Sequence, residues 1–427
     1  MGPRLEREKG IEPSTNSLED CDSTTELLPR YWSGRWDSNP RPSRWQREAL
    51  PLSYIRVMFI YNLRSIYSHY MITKYYMREK LSKGFCVLPF FGIELPGDIR
   101  CCLLKRGYDL EQIRYDMLSG NRPDACSACW NLEDSGLLSD RQLKNSALDL
   151  YWDRDIRSIE DDCHQGKFHI NHYKVGVSNA CNAACVTCDS GSSSYWAKLL
   201  GDKTSFNMSI QELDEKIDYR KAISINFVGG ETMMGSNNLH VLERLLEAGN
   251  DKCFIQLTTN GSLTPTVKQR KIMQQFKNLN IGISIDGIGP VFEYMRYPLK
   301  WSDLCSNIKI FREMTDNISI TCTTSNVNVM YFPQMISWFD ENDLRYHYNP
   351  VISPKHFRPS ALPLHVKEML LQRHGHIPSM RFFLEGSHKD SDDTDFLQMK
   401  EQLVLQDKIK KINIRDYLPE FCDLIDI

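Results

Sequence analysis

Cys181, Cys185 and Cys188 stand in a Cys-x3-Cys-x2-Cys spacing just after the apolar run Tyr173–Val177, and together they can offer three thiolates to one metal site. A structural zinc or an ordinary iron–sulfur site takes four protein ligands. Three ligands on one short loop, with no evident fourth, leave one iron of a cubane cluster open to a group that is not protein. Ligation needs the thiolate, so such a site must be electropositive or metal-loaded. The loop Asn179–Ser193 is small and polar, which lets backbone amides approach the sulfides and tune the reduction potential. The competing readings are a zinc knuckle and three buried thiols.

Two further motifs end apolar runs. Gly229-Gly230-Glu231 follows Ile223–Val228, where glycine permits close backbone approach and a carboxylate can accept from an ammonium group. Ser284 and Asp286 lie two apart, on one face at the end of Ile281–Ile285. Thr259-Asn260-Gly261 ends Phe254–Thr258 and reads equally as a lining of the same mouth or a simple turn. Tyr294 and Arg296 are expected in a loop after Asp286, and Asn326 follows the fifth run.

Cys86, Cys102, Cys126 and Cys129 form a second constellation, with Gly97-x4-Cys102 and a Cys126-x2-Cys129 pair. Four thiolates complete a four-iron cluster with no open position, suited to electron transfer or structure. Zinc is the rival, because four cysteines are also a favoured structural zinc set. Cys101 is the alternative to Cys102, and Cys163 a reserve. Cys253, Cys305, Cys322 and Cys422 read as core thiols, and His169, His172, His374 and His376 as packing or surface residues.

The elements that must position these residues show in the alternation of the chain. Six apolar runs, the four above with Tyr173–Val177 leading, then Ile318–Thr323 and Tyr346–Val351, are separated by amphipathic segments. That order predicts strand–helix–strand units and a parallel sheet. Leu239, Leu242, Leu245 and Leu246 make one helix face, with Ser236, Asn237 or Asn238 as N-cap and Gly249 just past the end. Phe332, Met335, Ile336 and Phe339 make another. Six units imply an α/β fold, a partial (β/α)6 TIM-like barrel whose functional residues sit at the carboxyl ends of strands. The expected division is a small Cys-rich domain at 84–165, the barrel at 166–352 and a helical region at 353–427.

Lys plus Arg number 52 against 55 for Asp plus Glu, so no global positive field marks a nucleic-acid binder. No run approaches the roughly 20 apolar residues of a membrane helix. Fourteen cysteines, nine of them between Cys86 and Cys188, behind a polar, charged N-terminus that does not read as a signal peptide, favour metal ligation over a disulfide scaffold, and the expected location is the cytoplasm. Residues 1–57 lack any period. Gly10-Ile11-Glu12-Pro13 and Asp37-Ser38-Asn39-Pro40 read, by the genetic code, as the complement of T-loop sequence in transfer-RNA genes, offset by about one gene length. This segment is expected to be antisense translation upstream of a start at Met58, Met71 or Met77, the alternative being a disordered natural extension. Residues 58–83 are expected to form a helical leader.

Taken together, the triad, Gly229-Gly230-Glu231 and the Ser284/Asp286 pair resemble the radical S-adenosylmethionine (SAM) superfamily. The resemblance covers roughly residues 84–427. It implies a 4Fe-4S cluster on Cys181, Cys185 and Cys188 whose open iron is chelated by SAM, reductive cleavage of SAM to a 5′-deoxyadenosyl radical, and hydrogen abstraction from a substrate. It also implies that Gly229, Gly230 and Glu231 bind the SAM amino group and that Ser284 and Asp286 hold the ribose. Thr187 stands where the family carries an aromatic residue near the adenine. Arg296 would face the SAM carboxylate, the substrate or solvent, and Asn260 and Asn326 would complete the cofactor site. Phe85-Cys86-Val87-Leu88-Pro89 and the segment from Cys129 to Arg141 are similar to twitch-type members, relatives of the SPASM group, which implies a second 4Fe-4S cluster. Such relatives imply an electron donor such as flavodoxin or ferredoxin and a peptide or protein substrate, with a sugar or nucleotide as runner-up. A zinc-bearing binding module without catalysis is the alternative of a different class.

Overall fold

Seven strands form one parallel sheet in strict chain order: β1 (Gly92–Leu95), β2 (His172–Gly176), β3 (Ser224–Val228), β4 (Phe254–Thr259), β5 (Asn278–Ser284), β6 (Ile318–Thr324) and β7 (Arg345–Pro350). The sheet is open, not a closed barrel. This computed structural model describes residues 84–96, 108–136, 139–142, 144–145, 156–386 and 392–427. The readings made for residues 1–57 and 58–83, and for Cys101 and Cys102, lie outside the described residues.

The connections are helices: α1 (Leu110–Leu118), α2 (Ser127–Asp134) and α3 (Ile156–His164) between β1 and β2, then α4 (Ser194–Leu200) and α5 (Ile210–Lys216) before β3. Then come α6 (Ser236–Glu247), α7 (Val267–Met273), α8 (Pro290–Met295), α9 (Trp301–Arg312) and α10 (Phe332–Glu341) between the later strands. Beyond β7 lie α11 (Leu364–His374), α12 (Asp393–Lys410) and α13 (Pro419–Ile425). Strand alternation explains the layering. Val175, Ile225, Phe227, Ile255, Leu257, Ile283 and Ile320 are wholly buried in one core with Leu242, Leu245, Leu304, Phe311 and Phe339 of the helices. The intervening residues face the other way and are polar. Lys174, Asn226, Gln256 and Asn280 pair in register across β2 to β5, and Ser284, Thr321 and His347 across β5 to β7.

All six expected strands are found: those at Phe254 and Ile318 start where expected, those expected at Tyr173, Ile223 and Tyr346 start one residue away, and the one expected at Ile281 starts three residues earlier, at Asn278. The unexpected strand is β1, which lies in the stretch read from sequence as the small Cys-rich domain. Gly92-Ile93-Glu94-Leu95 alternates over only four residues beside Pro96, inside a longer apolar stretch, so its period was hidden. It pairs with β2 and its Glu94 meets Lys174 at 3.1 Å. The residues before it, Phe85, Val87, Phe90 and Phe91, form a separate small core with Ile113, Met117 and Ile159.

Helix α6 corrects one expectation and bears out another. Its N-cap is Gly235, without a side-chain cap, because Asn237 donates instead to Met208 O and Asn238 to Thr232 O. At the other end Gly249 has φ +74°, and the bonds Gly249 N to Leu246 O and Asn250 N to Leu245 O close a Schellman motif. The C-terminal helices build a third core in which Met399, Leu403 and Phe421 pack with Val186, Tyr294 and Val327. Among the described residues no helix is long and apolar enough to cross a membrane.

Candidate functional site

The loop carrying Cys181, Cys185 and Cys188 runs from β2 to α4 and is fixed chiefly through its backbone. Asn179, buried at its start, accepts from Phe206 N and donates to Thr204 O. Ser193 caps α4 and donates to Ala183 O at 2.6 Å, while Ser194 Oγ accepts from Cys181 N and donates to Cys181 O. Ala184 N and Val186 N donate to Tyr297 O and Met295 O at the end of α8. Trp196 Nε1 donates to Cys185 O at 2.8 Å. Every segment between the cysteines is therefore anchored to a different neighbour.

The three residues are half-buried thiols that act electrostatically on one another. Burial, then the neighbouring sulfurs and acids, pushes Cys185 up to about 11 and Cys188 up to about 12. Cys181 is raised as well, again chiefly by burial. A bound metal centre reverses that bias, because it stabilises the thiolates directly. Among the described residues no three His, Cys, Asp or Glu side chains are drawn to the spacing of a single ion. A cubane spreads three thiolates over three irons and asks for wider spacing than one ion does. Three half-buried thiols on one anchored loop fit that donor set.

Gly229, Gly230 and Glu231 follow β3 directly beneath this loop. Gly229 has φ +116°, and a Cβ at Gly230 would lie 2.1 Å from Ala180 O. Gly230 N and Glu231 N donate to Ser178 O and Ala180 O. The close approach that requires glycine here is thus to the cysteine loop itself. Glu231 is buried, which raises its carboxyl pKa. It accepts from Thr259 Oγ1 at 2.6 Å, Asn260 N at 2.7 Å and Met233 N at 3.0 Å. Asn260 makes a turn, its Oδ1 accepting from Ser262 N, and also donates to Asn182 Oδ1 of the cysteine loop.

Ser284 ends β5 half-buried on the polar face. Asp286 is 2% exposed, and both its oxygens are engaged: Oδ1 accepts from Thr323 N and Oδ2 pairs with Arg296 Nη2 at 2.7 Å. Burial raises its pKa, and Arg296 opposes that rise. Arg296 was expected in a loop with Tyr294; the structure places Tyr294 in α8 and Arg296 at its C-cap. Arg296 is buried, not in solvent, with Nη1 3.9 Å from Cys185 Sγ. Thr187 lies half-buried next to Cys188. Asn326 is wholly buried and donates to His356 O. The residue that joins this loop to Asp286 is Asn328, which donates to Asp286 O and Thr323 O. Asn182, Trp196 and Asn328 carry no sequence motif and were not foreseen.

In the N-terminal region Cys86, Cys126 and Cys129 line one pocket with Met117, Asp140 and Arg141. Arg141 pairs with Glu133 at 2.6 Å, donates to Phe85 O and lies 4.9 Å over the Trp130 ring. Burial disfavours its cation, but Glu133 and the Cys86 and Cys129 sulfurs more than offset that. Cys163 packs in the same small core.

The radical SAM superfamily model matches residues 175–338. No curated protein matches the chain. Among solved structures, native anSMEcpe with bound AdoMet is 20% identical, over 42% of this chain and 51% of that one, with a TM-score of 0.34. Streptococcus suis SuiB bound to precursor peptide SuiA is 12% identical, over 72% of this chain and 65% of that one, with a TM-score of 0.35. The chain thus spans about half the length of anSMEcpe. The matched segment, residues 175–338, holds the triad, the Gly-Gly-Glu turn and the Asp286–Arg296 pair, so the part of the chain that carries the candidate site is a radical SAM domain.

Proposed function

We propose that the chain cleaves SAM reductively at a 4Fe-4S cluster held by Cys181, Cys185 and Cys188 and abstracts hydrogen from a substrate on the polar face of the sheet. The observation that carries this is convergence. The anchored cysteine loop meets Glu231 and Asn260 at the ends of β3 and β4, and meets Arg296, paired with Asp286, beyond β5. When bound, the cluster supplies the electron that splits SAM into methionine and the 5′-deoxyadenosyl radical. The protein's own part is positional. Gly229 and Gly230 bring Glu231 under the loop, where it would meet the SAM amino group. Ser284 would hold the ribose with Asp286, whose carboxylate is otherwise engaged by Thr323 N and Arg296, and Arg296 sets the charge beside Cys185. Thr187 and Asn326 complete the proposed cofactor surroundings.

A peptide or protein segment is the first substrate reading, carried over from the twitch and SPASM resemblance. A sugar or nucleotide is the second, and one observation favours it: the face away from the helices is lined by amides and hydroxyls, among them Asn226, Gln256, Thr258, Ser284 and Thr321. The pocket of Cys86, Cys126 and Cys129 supports the reading of a second metal site, a 4Fe-4S cluster or zinc, for which Cys102 or Cys101 would be the fourth ligand. A flavodoxin or ferredoxin in the cytoplasm would supply the electron. Anaerobically reconstituted protein with dithionite and SAM should be brown and release 5′-deoxyadenosine. Colourless protein carrying zinc, with no 5′-deoxyadenosine, would favour the binding-module alternative.

A further inference from the structure

The C-terminal helix α12 lies outside the segment matched to the family, yet its last turn is tied to the cysteine loop. Gln406, 7% exposed, donates from Nε2 to Val186 O at 2.9 Å, between Cys185 and Cys188. One turn later Lys410, 3% exposed, donates from Nζ to Gln406 Oε1 at 3.0 Å. Its ammonium sits 4.7 Å over the ring of Trp196, the residue whose indole N–H holds Cys185 O. The Tyr294 ring lies 5.9 Å away on another side. Sequence position gave no hint of this contact.

Two buried cations therefore reach the cysteine loop, and they differ in one respect. Arg296 is neutralised by its pair with Asp286. Among the described residues Lys410 makes no ion pair within 4.0 Å, and its hydrogen bond goes to the neutral amide of Gln406. The nearby Asp407 is engaged by Tyr294 OH and Ile414 N; burial lowers the Lys410 pKa to about 8, and the charges of Cys185, Asp407 and Cys188, acting through space, oppose that fall. A cluster on three thiolates carries net negative charge, and one-electron reduction adds another. In a buried site a fixed cation favours the more negative state, because little solvent screens it.

We propose that Lys410 is a positioning residue for charge: its buried ammonium, delivered by the C-terminal helix, raises the reduction potential of the cluster held by Cys181, Cys185 and Cys188. The proposal rests on the cluster reading above. The redox step is the gain of one electron from an external donor, with no bond made or broken at Lys410.

The test is a potentiometric titration, followed by electron paramagnetic resonance, of full-length, anaerobically reconstituted protein. The signal that changes on adding SAM identifies the cluster in question. Lys410→Met should keep its iron and make reduction at least tenfold harder, a shift of about 59 mV to more negative potential. Lys410→Arg should restore most of the wild-type value. If Lys410→Met loses its iron, Lys410→Gln, which keeps a polar contact to Gln406, is titrated instead. An unmoved midpoint with iron intact, an equal drop in Lys410→Arg, or loss of the cluster from both neutral variants overturns the proposal. Wild-type protein without a SAM-responsive signal would instead overturn the cluster reading itself.

Discussion

The chain places a buried arginine–carboxylate pair beside cysteines twice, and the two regions are built in opposite ways. At the sheet's carboxyl end Arg296 and Asp286 stand beside Cys185, and all three cysteines come from one loop fixed by backbone bonds. In the N-terminal region Arg141 and Glu133 stand beside Cys86 and Cys129, which come from separate segments. There the anchors are side chains: Arg141 donates to Phe85 O, and Asn145 donates to Phe85 O and accepts from Val87 N. The first site is preorganised by its fold. A metal at the second would itself close long loops and add stability to its own region.

The largest expected effect breaks the first site alone. Replacing Cys181, Cys185 and Cys188 with Ala should remove one cluster's iron and all SAM cleavage, leaving the second site loaded. Iron counting and 5′-deoxyadenosine release are the measurements. Unchanged iron, or turnover above background, would contradict the ligand assignment.

Next come the two ion pairs. Asp286→Asn or Glu133→Gln leaves a buried guanidinium without its counter-charge, at about 3–5 kcal/mol each. The comparison sharpens in where the loss appears. Hydrogen exchange should show Asp286→Asn loosening β5, β6 and the cysteine loop, and Glu133→Gln loosening only the segments around Phe85 and Trp130. A uniform loss in both would mean the two regions unfold as one unit.

A smaller effect is expected from Cys126→Ala with Cys129→Ala. Loss of a metal-closed loop should lower Tm by about 5 °C while SAM cleavage-competent iron stays. If the site is a cluster, the variant loses one of two paramagnetic signals; if zinc, it loses zinc and keeps its iron. Wild-type protein with one cluster's iron and no zinc would end the second-site reading.

The contrast also explains what could be read beforehand. The six strand–helix units announce themselves because apolar alternation and helical faces are local properties. Cys181, Cys185 and Cys188 are legible because one loop supplies all three. Gly229-Gly230-Glu231 was legible as a motif, but the reason for its glycines was not: their neighbour is the backbone of Ser178 and Ala180. Strand β1 was lost because four residues give too short a period. Asn328, Gln406 and Lys410 act across long separations in sequence, where no spacing rule operates.

The smallest expected effect joins the two regions. His172, at the start of β2, shares a hydrogen bond with Ser224. Burial, and then the Lys144 cation from the N-terminal region, lower its pKa from 6.5 to about 3. A folded pKa below the unfolded one means that the unfolded chain binds the proton more readily. The stability contributed is therefore complete above about pH 6.5 and is lost as pH falls toward 3. At about pH 5 the loss should reach roughly 2 kcal/mol, from about 1.4 kcal/mol per unit. His347, lowered by burial, adds to the acid sensitivity of the wild type, so only a difference isolates His172. Denaturant melts of wild type and His172→Gln at about pH 7.5 and pH 5 supply it: wild type should lose roughly 2 kcal/mol more than the variant. Lys144→Met should recover a minor part of that loss, since burial is the larger cause. Equal pH dependence in wild type and His172→Gln would show that this imidazole is free to take up its proton in the folded state. An unchanged slope in Lys144→Met would show that the N-terminal region does not reach the sheet electrostatically.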